Sequence, residues 1–361
     1  NITSTECFDN NQPKFCGLFD LRMGTIDKDK PCLTCRQSRL FCPGHFGRIE
    51  LSKKCYWYHY MSTIIQIFQV ACLECKQILN NECKKFKNKK NNKLLNAVHK
   101  LCSKRKVCTH MTRTEMVHGR VVDDVFEAGC YDDDDQWIPR IIPKAWKPYD
   151  DDIDESTTHL KFHVPCGKEV PKFKRENMSL IMTTSDGASS ALSPKDCENM
   201  LLSIDREVYE LIGINPDKIT GLICSVLPVG PPCIRPSVHT GGQRSEDDLT
   251  FKYNEIVKYN NGLSKQMELL KERENDVNDL EEQLKEFDGR TLTNDEKDEM
   301  KSLKTKLKKF MTDMDKKKQV VTDFYELLQW HIFTLVDNNI PNIPVSQQRS
   351  GRPLTSIKAR I

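Results

Sequence analysis

The chain has 361 residues, 38% of them hydrophobic, which is enough for two or three domains with real cores and excludes a single small module. Its 55 basic and 52 acidic residues leave a net charge of only +3, so a uniformly basic nucleic-acid-binding chain is excluded and only local patches remain. Sixteen cysteines are too sparse for a small disulfide scaffold, and the longest apolar stretch, Ile64 to Leu73, is interrupted by Gln66 and Gln69 and is too short to span a membrane.

The first strong signal in chain order is Cys32-x2-Cys35-x6-Cys42-x2-His45, three thiolates and an imidazole in two tight pairs. This spacing lets a short loop wrap a tetrahedral zinc ion, and Pro43, Gly44 and Gly47 supply its turns. Cys72-x2-Cys75 is half of a second set, whose other half must come from Cys83, Cys102, Cys108, His110 or Cys130; spacing alone does not choose. A set with four protein ligands leaves no open position for water, so both read as structural rather than hydrolytic. Each ion would contribute about 10–16 kcal/mol of binding energy to folding, which accounts for order in a loop-rich region.

Charge is segregated around these cysteines. Ten Lys and Arg between Lys84 and Lys106 face no acidic residue in that run, and Asp123, Asp124, Glu127 and Asp132 to Asp135 follow. From Asp150 to Ser193 the pattern weakens into a linker or short strands. Ser193-Pro194 then opens a predicted helix carrying Met200, Leu201, Ile204, Val208, Leu211 and Ile212, which Asn215-Pro216 stops. Pro228 to Pro232 must be extended and stiff, because it can continue neither a helix nor a central strand.

Between Leu263 and Leu328 hydrophobic residues recur every seventh position: Leu263, Leu270, Val277 and Leu284, then Met300, Leu307, Met314, Val321 and Leu328. The pattern predicts two helices joined by a turn, with Thr293 and Glu296 at capping-box spacing for the second. Such a charged antiparallel coiled-coil hairpin is more often a spacer or docking surface than a catalytic element. No phosphate loop, nucleophile elbow or His-Glu-x-x-His motif occurs. The fold class expected is α+β: zinc-stapled and loop-rich, with helices, short strands and this hairpin.

Several blocks carry a resemblance. They are Gly17 to Asp27, Cys32 to Glu50, ACLECKQIL at Ala71 to Leu79, LPVGPPCIRPSV at Leu227 to Val238, Ser245 to Asn260, and SGRPLTSIKARI at Ser350 to Ile361. In this order they resemble the largest subunit of multisubunit DNA-directed RNA polymerases, of the eukaryotic polymerase II or large-DNA-virus type. The resemblance implies the mobile clamp, with two structural zinc ions. The first would be held by Cys32, Cys35, Cys42 and His45, and the second by Cys72, Cys75, Cys108 and Cys130, with Cys102 the alternative to Cys108.

It further implies that Ser237 to Asp248 is a lid loop and Asn338 to Thr355 a rudder. Arg235, Arg244, Arg349, Arg352, Lys358 and Arg360 in or beside these loops would hold phosphates without reading sequence. The expected organisation is a clamp core and start of clamp head over 1–149, clamp head and return to the core over 150–235, the lid region over 236–260, the hairpin insertion over 261–335, and rudder and switch over 336–361.

The family's Mg2+-binding aspartate motif is absent from these residues. The expectation is therefore an amino-terminal portion of a nucleotidyltransferase subunit that is not catalytic alone. Its partners would be template DNA, the RNA–DNA hybrid, the second-largest subunit and smaller polymerase subunits, with no membrane. Its setting would be the nucleus if cellular, or a virus factory or virion if viral. The competing reading is a stand-alone zinc-binding protein whose coiled coil recruits a partner.

Overall fold

The computed structural model describes the chain apart from residues 11, 28, 87–93, 123–124, 132–135, 144–145, 149–158, 241–242, 286–293 and 349. It divides into two compact units, Asn1–Trp57 with Cys224–Ile361, and Tyr58–Ile223. Helices mix with short antiparallel strands, so the α+β expectation holds.

The first unit opens with the small hairpin β1 (Phe8–Asp9) and β2 (Gln12–Pro13), then β3 (Gly47–Tyr56). The chain next builds the second unit. Helices α1 (Tyr58–Phe68) and α2 (Leu94–Cys102) bury Ile64, Ile67, Phe68 and Val98 in its core. A five-stranded sheet follows, made of β4 (Met111–Val122), β5 (Val125–Tyr131), β6 (Trp137–Pro139), β7 (Lys147–Pro148) and β8 (His159–Pro165) in the order β6-β5-β4-β8-β7. The stretch read as linker or short strands contains β8 and the antiparallel trio β9 (Lys172–Glu176), β10 (Ser179–Thr183) and β11 (Ser189–Leu192).

Ser193 caps the next helix as its sequence position requires, accepting from the Asp196 amide at 3.1 Å with Pro194 at the first helical position. The single helix expected to Ile212 is two: α3 (Pro194–Ser203) and α4 (Arg206–Ile212). The break occurs because Asp205 turns its carboxylate onto the Glu207 amide at 3.0 Å, competing with helix continuation as short acidic side chains do. Gly213 ends α4 in the left-handed conformation, and Asn215 caps the 3-10 turn from Pro216.

Back in the first unit, β12 (Ile223–Val229) pairs with β3, and β13 (Val238–Thr240) pairs with β14 (Gln243–Ser245). Helices α5 (Asp248–Lys285) and α6 (Asn294–Val336) then form the antiparallel pair that the heptads predict. Tyr259 meets Phe324, and Arg273 stacks on Phe310 while pairing with Asp313 at 3.0 Å. The joining residues and the Thr293 cap lie outside the described residues.

The hairpin base is part of the core. Leu249, Ile256, Val257, Leu263, Leu328, Ile332 and Leu335 cluster with Leu18, Ile49, Leu227 and Val229. Two buried amides fasten it to β3: Asn260 bonds the Ser52 amide (2.8 Å) and Glu50 carbonyl (3.0 Å), and Gln329 bonds both backbone groups of Tyr56 (2.7 and 3.0 Å). Backbone groups that would otherwise form a bare sheet edge are thereby satisfied. No helix among the described residues is long and apolar enough to cross a membrane.

Candidate metal centres and the cationic edge

In the first unit the ligand atoms of Cys32, Cys35, Cys42 and His45 all lie within 4.8 Å of one another. The loop folds back on itself, the Cys32 amide bonding the Gln37 carbonyl at 2.9 Å and the Arg36 amide the Cys32 carbonyl at 2.9 Å, with Arg36 at φ 60°. At the opposite pair, Gly44 has φ 82°, and a Cβ there would approach Pro231 to 2.7 Å, so glycine is required. Burial opposes ionisation of Cys32, but the Cys35 and Thr34 backbone amides outweigh it and bring the thiol to about 7.

The second unit repeats the device with the same spacing. The Cys72 amide bonds the Gln77 carbonyl at 2.8 Å, the Lys76 amide bonds the Cys72 carbonyl at 3.0 Å, and Lys76 has φ 63°. Cys72, Cys75, Cys108 and Cys166 gather within 4.8 Å. A hydrogen bond from Cys108 pulls the Cys72 thiol down to about 5, whereas burial pushes Cys75 up to about 11.

Among the described residues the fourth thiol is Cys166, where the sequence expectation is Cys130. Cys130 lies in β5, its backbone opposite Ile138, and its side chain is outside the described residues. Cys166 takes the place because β8 runs antiparallel to β4 with Pro165 opposite Met111. Beyond that register, the Cys166 amide bonds the His110 carbonyl (2.8 Å), the Gly167 amide bonds the Cys108 carbonyl (3.1 Å) and the Cys108 amide bonds the Lys168 carbonyl (2.9 Å). Cys108 and Cys166 therefore form a cross-strand pair facing the Cys72 knuckle. Cys102, the alternative third ligand, instead sits 3.6 Å from Cys83.

Both sets fit tetrahedral zinc. With Zn–S near 2.3 Å, two thiolates on one ion stand about 3.8 Å apart. Cys72 to Cys166 is 3.9 Å, Cys75 to Cys108 is 3.8 Å, and Cys42 Sγ to His45 Nε2 is 3.7 Å.

The six arginines and lysines expected to hold phosphates separate into different kinds. Arg235 is fully buried, which corrects its assignment as a surface contact. Its guanidinium donates to the Gly230 carbonyl (2.9 Å), to Thr250 Oγ1 (3.1 Å) and to the Leu18 carbonyl, and it lies over Phe19. Arg352 reaches Asp248 at 2.6 Å, Lys358 reaches Asp337 at 2.6 Å, and Arg360 grips both oxygens of Asp247 at 2.8 Å. The side chains of Arg352 and Lys358 remain 56% and 64% exposed, so water or another anion competes for them. Arg244 stands in β14 opposite His239, with its side chain outside the described residues, as is the whole of Arg349.

Asp247 and Asp248, legible in the sequence as salt-bridge partners for these cations, take that role, and Asp248 is in addition a hub. Buried at the start of α5, it also accepts from Gln348 (2.8 Å) and the Thr355 amide (2.9 Å). Burial works against its ionisation, yet these donors and Arg352 hold it below the usual carboxylate value.

These sites lie in a chain whose residues 1–314 match the family described as RNA polymerase Rpb1, domain 1. The chain is also 26% identical, over 367 aligned residues, to the DNA-directed RNA polymerase II subunit RPB1 of Euplotoides octocarinatus; the match takes in all of this chain and 60% of that relative's length. The chain belongs to the Rpb1 domain 1 family, the amino-terminal region of the RNA polymerase largest subunit.

Proposed function

We propose that the chain is the clamp, lid and rudder portion of the largest subunit of a DNA-directed RNA polymerase, and that it retains template DNA and the RNA–DNA hybrid. The observation that carries this reading is the family match over residues 1–314 together with two closed four-ligand sets. The hairpin of β13 and β14 leading into α5 is the lid, and the Asn338 to Thr355 segment tied to Asp248 is the rudder. Arg352, Lys358 and Arg360 supply cations at this edge, where exchange of a carboxylate for a phosphate loses little energy because the pairs are partly hydrated.

Cys32, Cys35, Cys42 and His45 hold one zinc ion, and Cys72, Cys75, Cys108 and Cys166 the other. Zinc supplies folding energy here and no reaction step, since each set is closed. The aspartate motif for Mg2+ does not occur in these residues, so phosphodiester chemistry belongs elsewhere in the assembled enzyme. The second-largest and smaller subunits are the partners. Similarity to an RNA polymerase II subunit favours the nucleus of a cell over a viral setting.

The test is affinity isolation of the tagged chain from its source, followed by photocrosslinking to a DNA scaffold bearing an RNA–DNA hybrid. Polymerase subunits in the isolate and crosslinks at the Arg352 to Arg360 edge are expected. A chain held only through its helical hairpin, with no polymerase subunit and no scaffold crosslink, would mark a stand-alone interaction protein.

A further inference from the structure

Cys83 and Cys102 stand apart from both metal sets. Their sulfurs are 3.6 Å apart and both residues are fully buried. Among the described residues only two groups of three or more ligands come within reach of one ion, and neither thiol belongs to either. Two thiols without further ligands cannot complete a tetrahedral site, which leaves the chemistry that needs only two sulfurs.

The surrounding elements hold the pair in place. Cys83 sits in the 3-10 turn Asn81–Phe86, its amide bonded to the Asn80 carbonyl at 3.0 Å, and Cys102 closes α2. Arg105, three residues beyond the end of α2, pairs with Glu82 of the 3-10 turn at 3.8 Å. Cys102 also forms part of the wall of a cavity of about 390 Å3 that Gln69, Lys104, Arg105 and Lys172 help to line. A small neutral oxidant has room there; contact with Cys83 and burial raise the Cys102 thiol, so Cys83 is the sulfur of the pair that ionises first.

We propose that Cys83 and Cys102 are a redox pair that a peroxide converts to an intramolecular disulfide and a thiol reductant reopens. One sulfur, as thiolate, attacks a peroxide oxygen; the O–O bond breaks, the sulfur becomes a sulfenic acid, and one water leaves after protonation. The partner sulfur then attacks the sulfenic sulfur, the S–O bond breaks, and a second water leaves carrying the thiol proton. Two thiols lose two electrons in all, and hydrogen peroxide is reduced to two waters. Contact between the two sulfurs already draws the Cys83 thiol below its ordinary value, the hydrogen bond from Cys102 being the main cause. Closing the bond needs the sulfurs to approach by about 1.5 Å. The disulfide ties together the two ends of a segment that carries Lys84, Lys85, Lys87, Lys89, Lys90, Lys93 and Lys100.

The test uses the zinc-loaded full chain, treated with stoichiometric hydrogen peroxide and digested without reductant. The expected product is a Cys83–Cys102 peptide pair lighter by two hydrogens, reversed by dithiothreitol, with zinc content unchanged and the melting temperature raised by about 5 °C. Cys83→Ser and Cys102→Ser should each abolish it. If either variant fails to fold, peptide mapping of the unaltered chain decides. Zinc release with oxidation of Cys72 or Cys108 while Cys83 and Cys102 still alkylate as thiols on denaturation would overturn the proposal. So would a chain whose thiols all survive peroxide.

Discussion

The sulfur of Cys166 lies 3.9 Å from that of Cys72, although 94 residues separate them in sequence. The pairing of β4 with β8 makes that contact, and it brings Cys166 into the group of thiols around Cys72. Cys166→Ser should therefore lose one of about two bound zinc ions and destabilise the second unit, whereas Cys130→Ser should keep both. Metal analysis by mass spectrometry after gel filtration distinguishes them; equal loss in the two variants would refute the assignment.

Legibility in the sequence followed the range of the interactions. Cys32 to His45 and Cys72 to Cys75 could be read because a knuckle is local, closed by backbone bonds spanning four or five residues. The helical hairpin could be read because seven-residue spacing places one stripe on each helix, buried at Leu263, Val277, Val321 and Leu328 and half-buried between. Cys166 was not among the candidates, since a single cysteine far along the chain carries no local spacing signal and only the register of β4 with β8 brings it to Cys108. The resemblance implied two ligand sets, the second ending in Cys130, whereas among the described residues the fourth thiol beside Cys72, Cys75 and Cys108 is Cys166. Arg235 was misread for a similar reason: charge and a Pro-rich neighbourhood do not reveal a side chain turned inward onto three carbonyl or hydroxyl oxygens.

Arg235 gives a direct contrast between support and binding. Arg235→Met should lower stability by about 3 kcal/mol, because the Gly230 and Leu18 carbonyls and Thr250 lose a charged donor in a dry site. Arg235→Lys should not restore it, since an ammonium cannot reach three acceptors in a planar fork. Denaturant unfolding reads the change. Arg352→Gln and Lys358→Gln remove cations that are exposed although their partners Asp248 and Asp337 are buried; since Gln can still donate to the carboxylate, each should shift stability by about 1 kcal/mol and weaken scaffold retention, more so at low salt. An Arg235 variant with unchanged stability and lost retention would return that residue to the nucleic-acid edge.

Lys252 predicts a pH dependence. It is buried between α5 and α6, donates to Thr334 Oγ1 at 2.6 Å, lies 3.3 Å from His331 Nδ1 and sits over the Trp330 ring. Burial pushes it down to about 7, with Glu255 acting against the shift. The unfolded chain keeps that proton up to the ordinary lysine value, so between these limits unfolding takes up a proton and stability rises with pH. The gain should be about 2 kcal/mol from pH 7 to 9 in urea unfolding. Lys252→Met should remove this part of the slope. His331, brought by burial and Lys252 to about 3, makes stability rise with pH in the same sense below the ordinary histidine value. A Lys252→Met chain with the parental slope above pH 7 would show that the lysine is not the titrating group.

Gly262 sets helix propensity against packing. Alanine is favoured over glycine inside a helix by about 1 kcal/mol, so propensity alone predicts that Gly262→Ala in α5 stabilises. A Cβ at that position would stand 2.5 Å from the Phe324 ring, which is packed into the hairpin base beside Tyr259. The partly buried ring must shift away from Tyr259 to admit the methyl group, and overpacking of this kind costs about 1–3 kcal/mol. The steric term should win, and Gly262→Ala should lower the melting temperature. Gly221→Ala is the control, because a Cβ there meets nothing within 4 Å and the change should stay within about 0.5 kcal/mol. Adding Phe324→Leu to Gly262→Ala should recover part of the loss, since a smaller side chain leaves space for the methyl group. Stabilisation by Gly262→Ala alone would mean that the two helices do not approach so closely at this level, and the packing of the hairpin base would have to be redrawn.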